Sequence, residues 1–224
     1  MRSARSLWQA NRVGKGVTYA EQDNPRHQRH DCRDPRIRER RVRCRDQESV
    51  SKMKILVLQG SPRTNGHTAT RVAAFAEGAR EAAHDVDVVD VAHMEIHGCT
   101  ACEYCHTKGN GTCIQKDDMA KVYPLYDSAD MIVIASPIYY GSLSGQLTCA
   151  INRTYAIGVP AACKKMALIL ASGASGVFRA SETIYHGFLQ GWYGVEDCGV
   201  FEGAGSAAVS DAALEELRAF GRSL

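Results

Sequence analysis

The chain has 224 residues, enough for one domain with a buried core and hardly for two. Its formal net charge of +2 conceals two regimes: residues 1–52 carry 14 Lys+Arg against 7 Asp+Glu, and the remainder carries 13 against 18. No apolar run is long enough to span a bilayer and no secretory signal follows Met1, so the nine cysteines point to a reducing compartment, with the cytoplasm as the expected location.

The first 52 residues are poor in aliphatic side chains and rich in arginine, as in DCRDPRIRERRVRCRDQ, and are expected to form a disordered extension. Interleaved acids and a single Trp8 argue against a nucleic-acid arm, and the same acids argue against a transit peptide. His27, His30, Cys32 and Cys44 match no zinc spacing. Met53 opens the first convincing strand and looks like a natural start, so residues 53–224 are expected to be the domain.

From there strands and helices alternate. Residues 54–59 read as a short buried strand of the parallel type, ended by Gly60-Ser61-Pro62. A helix over 68–83 carries Val72, Phe75, Ala76 and Ala79 on one face. Residues 85–91 form a second, more exposed strand, and a short helix starts at Asp117-Asp118, whose acids suit its dipole. Residues 131–135 form a third strand, 143–157 a helix, 165–171 a fourth strand and 181–193 another helix. A weak strand over 199–202 and a helix over 211–221 complete the chain. This order predicts an α/β domain: a doubly wound, five-stranded parallel sheet of order 2-1-3-4-5 with helices on both faces.

In such sheets ligands bind beyond the carboxyl ends of the strands, where strand order reverses, here between the first and third. The turn leaving the first strand, Gly60-Ser-Pro-Arg-Thr-Asn-Gly-His-Thr68, offers the hydroxyls of Ser61, Thr64 and Thr68, the Asn65 amide, the Arg63 charge and a helix N-terminus. It lacks GxGxxG and GK[ST], so it suits a terminal phosphate monoester better than a dinucleotide or a nucleoside triphosphate. The turn leaving the third strand, Ser136-Pro-Ile-Tyr-Tyr-Gly141, suits a flat heterocycle: Pro137 fixes its entry, Tyr139 and Tyr140 supply aromatic faces, and Gly141 permits close approach. Ser172 and Gly173, after the fourth strand, would make a third wall.

Between the second strand and the next helix lie Cys99, Cys102 and Cys105, then a seven-residue gap, then Cys113. Four closely spaced thiolates are the ligand set of an iron–sulfur cluster, and the triplet is too tight for paired zinc knuckles. The loop leaves the second strand and so should share the sheet edge with the two turns. His97 and His106 flank the run as solvated loop residues. Cys149, Cys163 and Cys198 are isolated and read as small core residues.

Together the 60–68 turn, the cysteine run, Asp117-Asp118-Met119 and Ser136-Pro-Ile-Tyr-Tyr-Gly-x-x-Ser-Gly-Gln-Leu147 resemble the NAD(P)H-dependent FMN reductase group of flavodoxin-like proteins. The cysteines resemble those of the iron–sulfur flavoproteins within that group. The resemblance covers Met53 to the C-terminus and implies a homodimer or homotetramer that binds FMN noncovalently and transfers electrons. It implies that Ser61, Arg63, Asn65, Gly66 and Thr68 hold the phosphate and ribityl chain, and that Pro137, Ile138, Tyr139, Tyr140 and Gly141 line the ring. A 4Fe–4S cluster on Cys99, Cys102, Cys105 and Cys113 would let a two-electron flavin exchange single electrons. The donor would be NAD(P)H or a reduced carrier, and the acceptor a quinone, a flavin or a one-electron carrier. A cluster-free reductase, a flavin electron carrier and a thiol redox sensor are the alternatives, and no catalytic side chain is assigned. Two positions depart from the group's pattern: the gap of residues 106–112 is long and glycine-rich, and Asn152-Arg153 stands where many members have Asp-Arg, a change expected to touch only a helix contact.

Overall fold

The structure is a computed structural model that describes residues 51–224. The basic extension read over residues 1–52 lies almost wholly outside the described residues.

Strand β1 (Lys54–Gln59) leads through the 60–66 turn into α1 (His67–Glu81), followed by β2 (Asp85–Asp90). The cysteine loop contains only a 3₁₀ turn (Val91–His93) and the short helix α2 (Tyr104–Thr107). Helix α3 (Met119–Ser128), β3 (Met131–Tyr139), the two-residue β4 (Ser142–Leu143) and α4 (Gly145–Arg153) follow. Then come β5 (Lys165–Ser172), α5 (Arg179–Ile184), a π turn (Tyr185–Leu189), α6 (Gln190–Tyr193), β6 (Glu196–Ala204) and α7 (Asp211–Arg222).

The long strands are parallel in the order β2-β1-β3-β5-β6, and β4 folds back antiparallel on the end of β3. The expected 2-1-3-4-5 order therefore holds for the five parallel strands. Side chains alternate across a strand. Leu56, Leu58, Ile132, Ile134, Leu168 and Leu170 accordingly pack on one face with Met119, Val122 and Leu147. Ile55, Val57, Met131, Val133, Ala167 and Ile169 pack on the other with Val72, Phe75 and Leu217. Both faces are dry, so the central strands read as unbroken apolar runs.

Several boundaries differ from those expected, each for a local reason. β3 runs on to Tyr139 because Ile138 and Tyr139 pair with Leu143 and Ser142, which makes the expected turn a hairpin. Leu143 is thereby taken into β4, and α4 starts at Gly145, capped by the Ser144 hydroxyl, which accepts the Leu147 N–H. The expected 181–193 helix is split by the π turn, which turns both Tyr185 and Leu189 into the core. The last strand is longer than predicted, with a register irregularity between Met166 and Leu168 of its partner. Of the three isolated cysteines, Cys163 is buried but Cys149 and Cys198 are only half-buried. Among the described residues, no helix is long and apolar enough to cross a membrane.

Helices α1 and α7 meet almost backbone to backbone. A Cβ placed on Gly78 would lie 2.0 Å from the Arg218 carbonyl oxygen. Arg218 pairs with Glu77 at 2.6 Å and Arg222 with Glu81 at 3.1 Å along the rim of this contact. Gly78→Ala should therefore force the helices apart and cost about 1–3 kcal/mol, the usual range for overpacking. Gly187→Ala, with no atom within 4 Å of its added Cβ, should leave stability unchanged or slightly raised. Thermal denaturation of the two variants separates these outcomes.

Candidate functional site

A cavity opens at the carboxyl edge of the sheet, between the ends of β1, β3 and β5. Ser61 is buried; its hydroxyl accepts the Arg63 N–H at 3.2 Å, and Gly66 N–H reaches the Arg63 carbonyl at 3.1 Å. These bonds wind residues 61–66 into a tight turn that feeds straight into α1. Gly66 stands at the N-cap and supplies no side-chain cap. The first intrahelical bond is Thr70 N–H to the Gly66 carbonyl, 3.0 Å, so the N–H groups of His67, Thr68 and Ala69 precede the helical ladder. The first turn of α1 contains no acid. Such a helix start attracts an anion.

Opposite this turn, the end of β3 contributes Pro137, Ile138 and Tyr139, and the end of β5 contributes Ala171, Ser172 and Gly173. Together the three segments enclose a cavity of about 580 Å³, within the range of small-molecule and cofactor sites. Its lining includes Arg63 and His67 and no carboxylate. A group with a negative end and a flat apolar end matches these walls, so the residues fit FMN.

Of the twelve residues expected to hold a cofactor, Ser61, Arg63, Asn65, Gly66, Thr68, Pro137, Ile138, Tyr139, Ser172 and Gly173 line this one cavity. Tyr140 and Gly141 do not. They form the hairpin turn between β3 and β4, both with positive φ (52° and 75°), and Tyr140 projects fully into solvent. The 136–141 segment is a hairpin and not one loop, and its tip turns away from the cavity. Thr64 also lines the cavity, as do His67 and Ala171, which no motif or spacing singles out.

The cysteine loop leaves the same edge and then lies over the second half of α4. Its neck is pinched by reciprocal bonds: Glu95 N–H to the Asp118 carboxylate (2.9 Å) and Asp118 N–H to the Glu95 carbonyl (3.0 Å). One step further in, Asp117 accepts His97 N–H at 3.1 Å, and Arg153 Nη1 donates to the His97 carbonyl at 3.0 Å. Arg153 and Asp117, 1% and 4% exposed, form a two-pronged pair at 2.5 and 3.1 Å. Burial alone would raise the Asp117 pKa, but hydrogen bonds from Arg153, His97 N–H and Met119 N–H outweigh it and hold the carboxyl below its ordinary range. Burial likewise opposes the Arg153 charge, and the Asp117 hydrogen bond overrides it to leave the guanidinium pKa raised. Arg153 is thus an anchor of the loop.

Within the loop, Ala101 and Glu103 adopt positive φ (52° and 57°) between the first three cysteines. The long gap is folded tightly: Gly109 N–H reaches the Tyr104 carbonyl at 2.7 Å, and Gly111 N–H reaches the Cys105 carbonyl at 2.8 Å. A Cβ on Gly109 would lie 2.3 Å from the Thr112 carbonyl oxygen. The extra residues therefore coil up between Cys105 and Cys113. Cys105 is buried, Cys113 half-buried, and Cys99 and Cys102 exposed. Four thiols on one loop have the donor chemistry of an iron–sulfur site. Among the described residues, however, no three Cys, His, Asp or Glu side chains gather around a common point. His106 is engaged elsewhere, its Nε2 donating to the Tyr155 carbonyl at 2.9 Å. A second cavity, about 440 Å³, lies between this loop and the 185–193 segment, with Cys99, Glu103, Tyr155, Phe188 and Trp192 in its wall. It shares no lining residue with the first.

A doubly wound sheet with an acid-free turn after its first strand, facing Pro137–Tyr139 across one cavity, defines an α/β protein of the class that binds ligands at the carboxyl edge of its sheet. The chain belongs to the NADPH-dependent FMN reductase family, whose profile matches residues 53–194. It is 38% identical over 106 residues to an iron-sulfur flavoprotein of Methanocaldococcus jannaschii, covering 47% of this chain and 52% of that protein. It is 32% identical over 102 residues to the iron-sulfur flavoprotein of Methanosarcina thermophila, covering 46% and 52%. The chain thus spans about half the length of the curated relatives it matches. Its fold is similar to that of an NAD(P)H:quinone oxidoreductase from Methanothermobacter marburgensis (TM-score 0.59, 17% identity, 77% of this chain and 94% of that one). It is also similar to that of an FMN-dependent NADH-azoreductase from Bacillus anthracis (TM-score 0.58, 15% identity, 76% and 98%).

The neck clamp yields a pH prediction. A carboxyl whose pKa is depressed on folding stabilises the fold above its unfolded value, about 3.9, and that stability is lost as pH falls through the lower folded value. Amide exchange at His97 and Met119, measured at several pH values and corrected for intrinsic rates, should accelerate only below about pH 4. Asp117→Asn should lose about 3–5 kcal/mol at neutral pH, because it leaves Arg153 as an uncompensated buried charge. A wild-type melting temperature would contradict this.

Proposed function

We propose that this chain is an FMN-dependent oxidoreductase that takes electrons from NAD(P)H or a reduced carrier and passes them to a quinone, a flavin or a one-electron acceptor. The observation that carries the reading is the acid-free turn at 61–68 facing Pro137–Tyr139 across a cavity of about 580 Å³. Bound there, FMN would supply the hydride and single-electron chemistry. In this reading Ser61, Arg63, Asn65, Gly66 and Thr68 hold its phosphate and ribityl chain. Pro137, Ile138, Tyr139, Ser172 and Gly173 orient the ring and exclude water from one side of it. Residues 53–224 are the working domain, placed in the cytoplasm and assembled as a homodimer or homotetramer. The exposed apolar side chains Phe188, Trp192 and Tyr139 support such an assembly.

The reading includes an accessory 4Fe–4S cluster held by Cys99, Cys102, Cys105 and Cys113. The four-thiol donor set on one loop and the iron-sulfur naming of the relatives support it. The exposed Cys102, whose pKa is lowered chiefly by the Tyr104 N–H, favours a second reading in which the loop is a thiol redox sensor.

Anaerobically purified protein should show flavin bands with a broad iron–sulfur shoulder and about four iron per flavin. Flavin bands without iron would remove the cluster and leave FMN. Bleaching of the flavin by NADH or NADPH supports the reductase, whereas indifference to both would point to a carrier or sensor. Arg63→Ala should weaken FMN binding at least about tenfold, the effect of losing a hydrogen bond to a charged group. Riboflavin, which has no phosphate, should bind the variant and the parent alike. Equal FMN affinity in the two proteins by fluorescence titration would sink the phosphate assignment.

A further inference from the structure

Arg71 is buried on the face of α1 that packs against the sheet, in line with Thr68, Val72 and Phe75. Its Nη1 donates to the Ala208 carbonyl at 2.8 Å, and its Nε is buried with no partner among the described residues. Among those residues it forms no ion pair; burial lowers the guanidinium pKa, and the field of Glu216 only partly opposes this. A buried charge without a partner is costly, and an apolar side chain of similar size would pack there as well. Side chains on a helix tilt toward its N-terminus and residues three apart share a face, so Arg71 lies directly beneath Thr68, which lines the sheet-edge cavity. The guanidinium ends against β6: a Cβ on Gly203 would lie 2.7 Å from Arg71 Nη1. Gly203 pairs in register with Ala171, another residue of the cavity wall. Ala208 belongs to the 205–209 turn, where a Cβ on Gly205 would lie 3.9 Å from the Gly173 carbonyl oxygen. The turn that Arg71 holds therefore backs the Gly173 wall of the same cavity.

We infer that Arg71 is a specificity determinant of this cavity: an unpaired positive charge, buried behind the wall, that selects ligands ending in an anionic group over the same ligands without one. The inference rests on the reading of the cavity as an FMN site, and it assigns Arg71 no contact with the ligand. A charge in a dry interior acts more strongly than one in water and is screened little by salt. The cavity lining holds Arg63 and His67 and no carboxylate, so nothing in the wall cancels the buried charge before a ligand enters. A phosphate group supplies the missing counter-charge, and the cost of burying Arg71 is partly recovered in the complex. Arg63 works differently, because it is exposed in the turn, where water and salt weaken its field.

The test titrates the full chain, freed of flavin, with FMN and with riboflavin by fluorescence, in the parent, Arg71→Lys, Arg71→Gln and Arg71→Met. The two neutral variants should lose about tenfold of the parent's preference for FMN over riboflavin, with riboflavin affinity unchanged. Arg71→Lys, which keeps the charge, should keep the preference. A purely structural role would lower the affinity for both flavins alike and leave their ratio as in the parent, and that result overturns the inference. A loss of preference in Arg71→Lys equal to that in Arg71→Met overturns it too. Should Arg71→Met not fold, Arg71→Gln decides, since its amide retains a donor. If neither neutral variant folds, Arg71 is part of the scaffold and the inference falls. A parent that binds neither flavin defeats the FMN reading instead. The anion role is then decided on the same proteins by thermal melting in inorganic phosphate against chloride at equal ionic strength. A rise in melting temperature in the parent and Arg71→Lys that the neutral variants lack supports it, and an equal response in all four overturns it.

Discussion

The requirement that both faces of one parallel sheet be kept dry governs the rest of this molecule. Strands β1, β3 and β5 send successive side chains to opposite faces, so each needs an apolar layer on both sides. The covering helices must then return across the sheet, which places every strand-to-helix turn at one edge. Gly60–Gly66, Tyr140–Ser144 and Gly173–Phe178 all open there, at the edge with no apolar layer to fill. The cavity at 61–68 and 137–139 is the gap these turns leave, and its polar lining follows from its position beyond the strand ends.

The cysteine loop answers to a different constraint. It is about twenty residues of little regular structure, so its backbone groups need partners that a sheet or helix would otherwise supply. The loop finds them at its neck, where Glu95, His97 and Gly98 bond to Asp118, Asp117, Arg153 and Gln115. Closing the loop there leaves its interior free to adopt positive φ at Ala101, Glu103 and Asn110, conformations that cost energy in side-chain-bearing residues. Strain inside the loop and rigidity at its base are two aspects of one construction.

Much of the architecture was legible because apolar periodicity and turn chemistry are local. The runs 54–59 and 131–135 announced two-faced burial, and the polar residues at 61–68 announced a turn that lines a cavity at the sheet edge. Contacts made across the chain were less visible. Nothing near Tyr140 in sequence reveals that β4 pairs back on β3 and carries that side chain out of the cavity, since the pairing depends on Leu143 finding a place in the core. His67 and Ala171 line the cavity only because two strand ends converge on it. Arg153 carried no such signal: it pairs with Asp117, 36 residues earlier, and a spacing that long leaves no periodic trace.

That pair also bears on how the two regions relate. Burying two charges is expensive, and the attraction between them offsets the cost only when geometry and additional hydrogen bonds are good. Here Asp117 accepts from Arg153, His97 and Met119, while Arg153 also reaches the His97 carbonyl. The pair thus joins the loop's entry, its exit and α4 in one network. The other end of α4 is capped by Ser144, whose N–H is held by the Ser136 hydroxyl at 2.9 Å, immediately before Pro137 in the wall of the sheet-edge cavity. One helix therefore has its N-terminus fixed beside the sheet-edge cavity and its C-terminus fixed at the cysteine loop. The distance between the two sites is set by nine residues of helix, a rigid element, and does not depend on either loop's conformation.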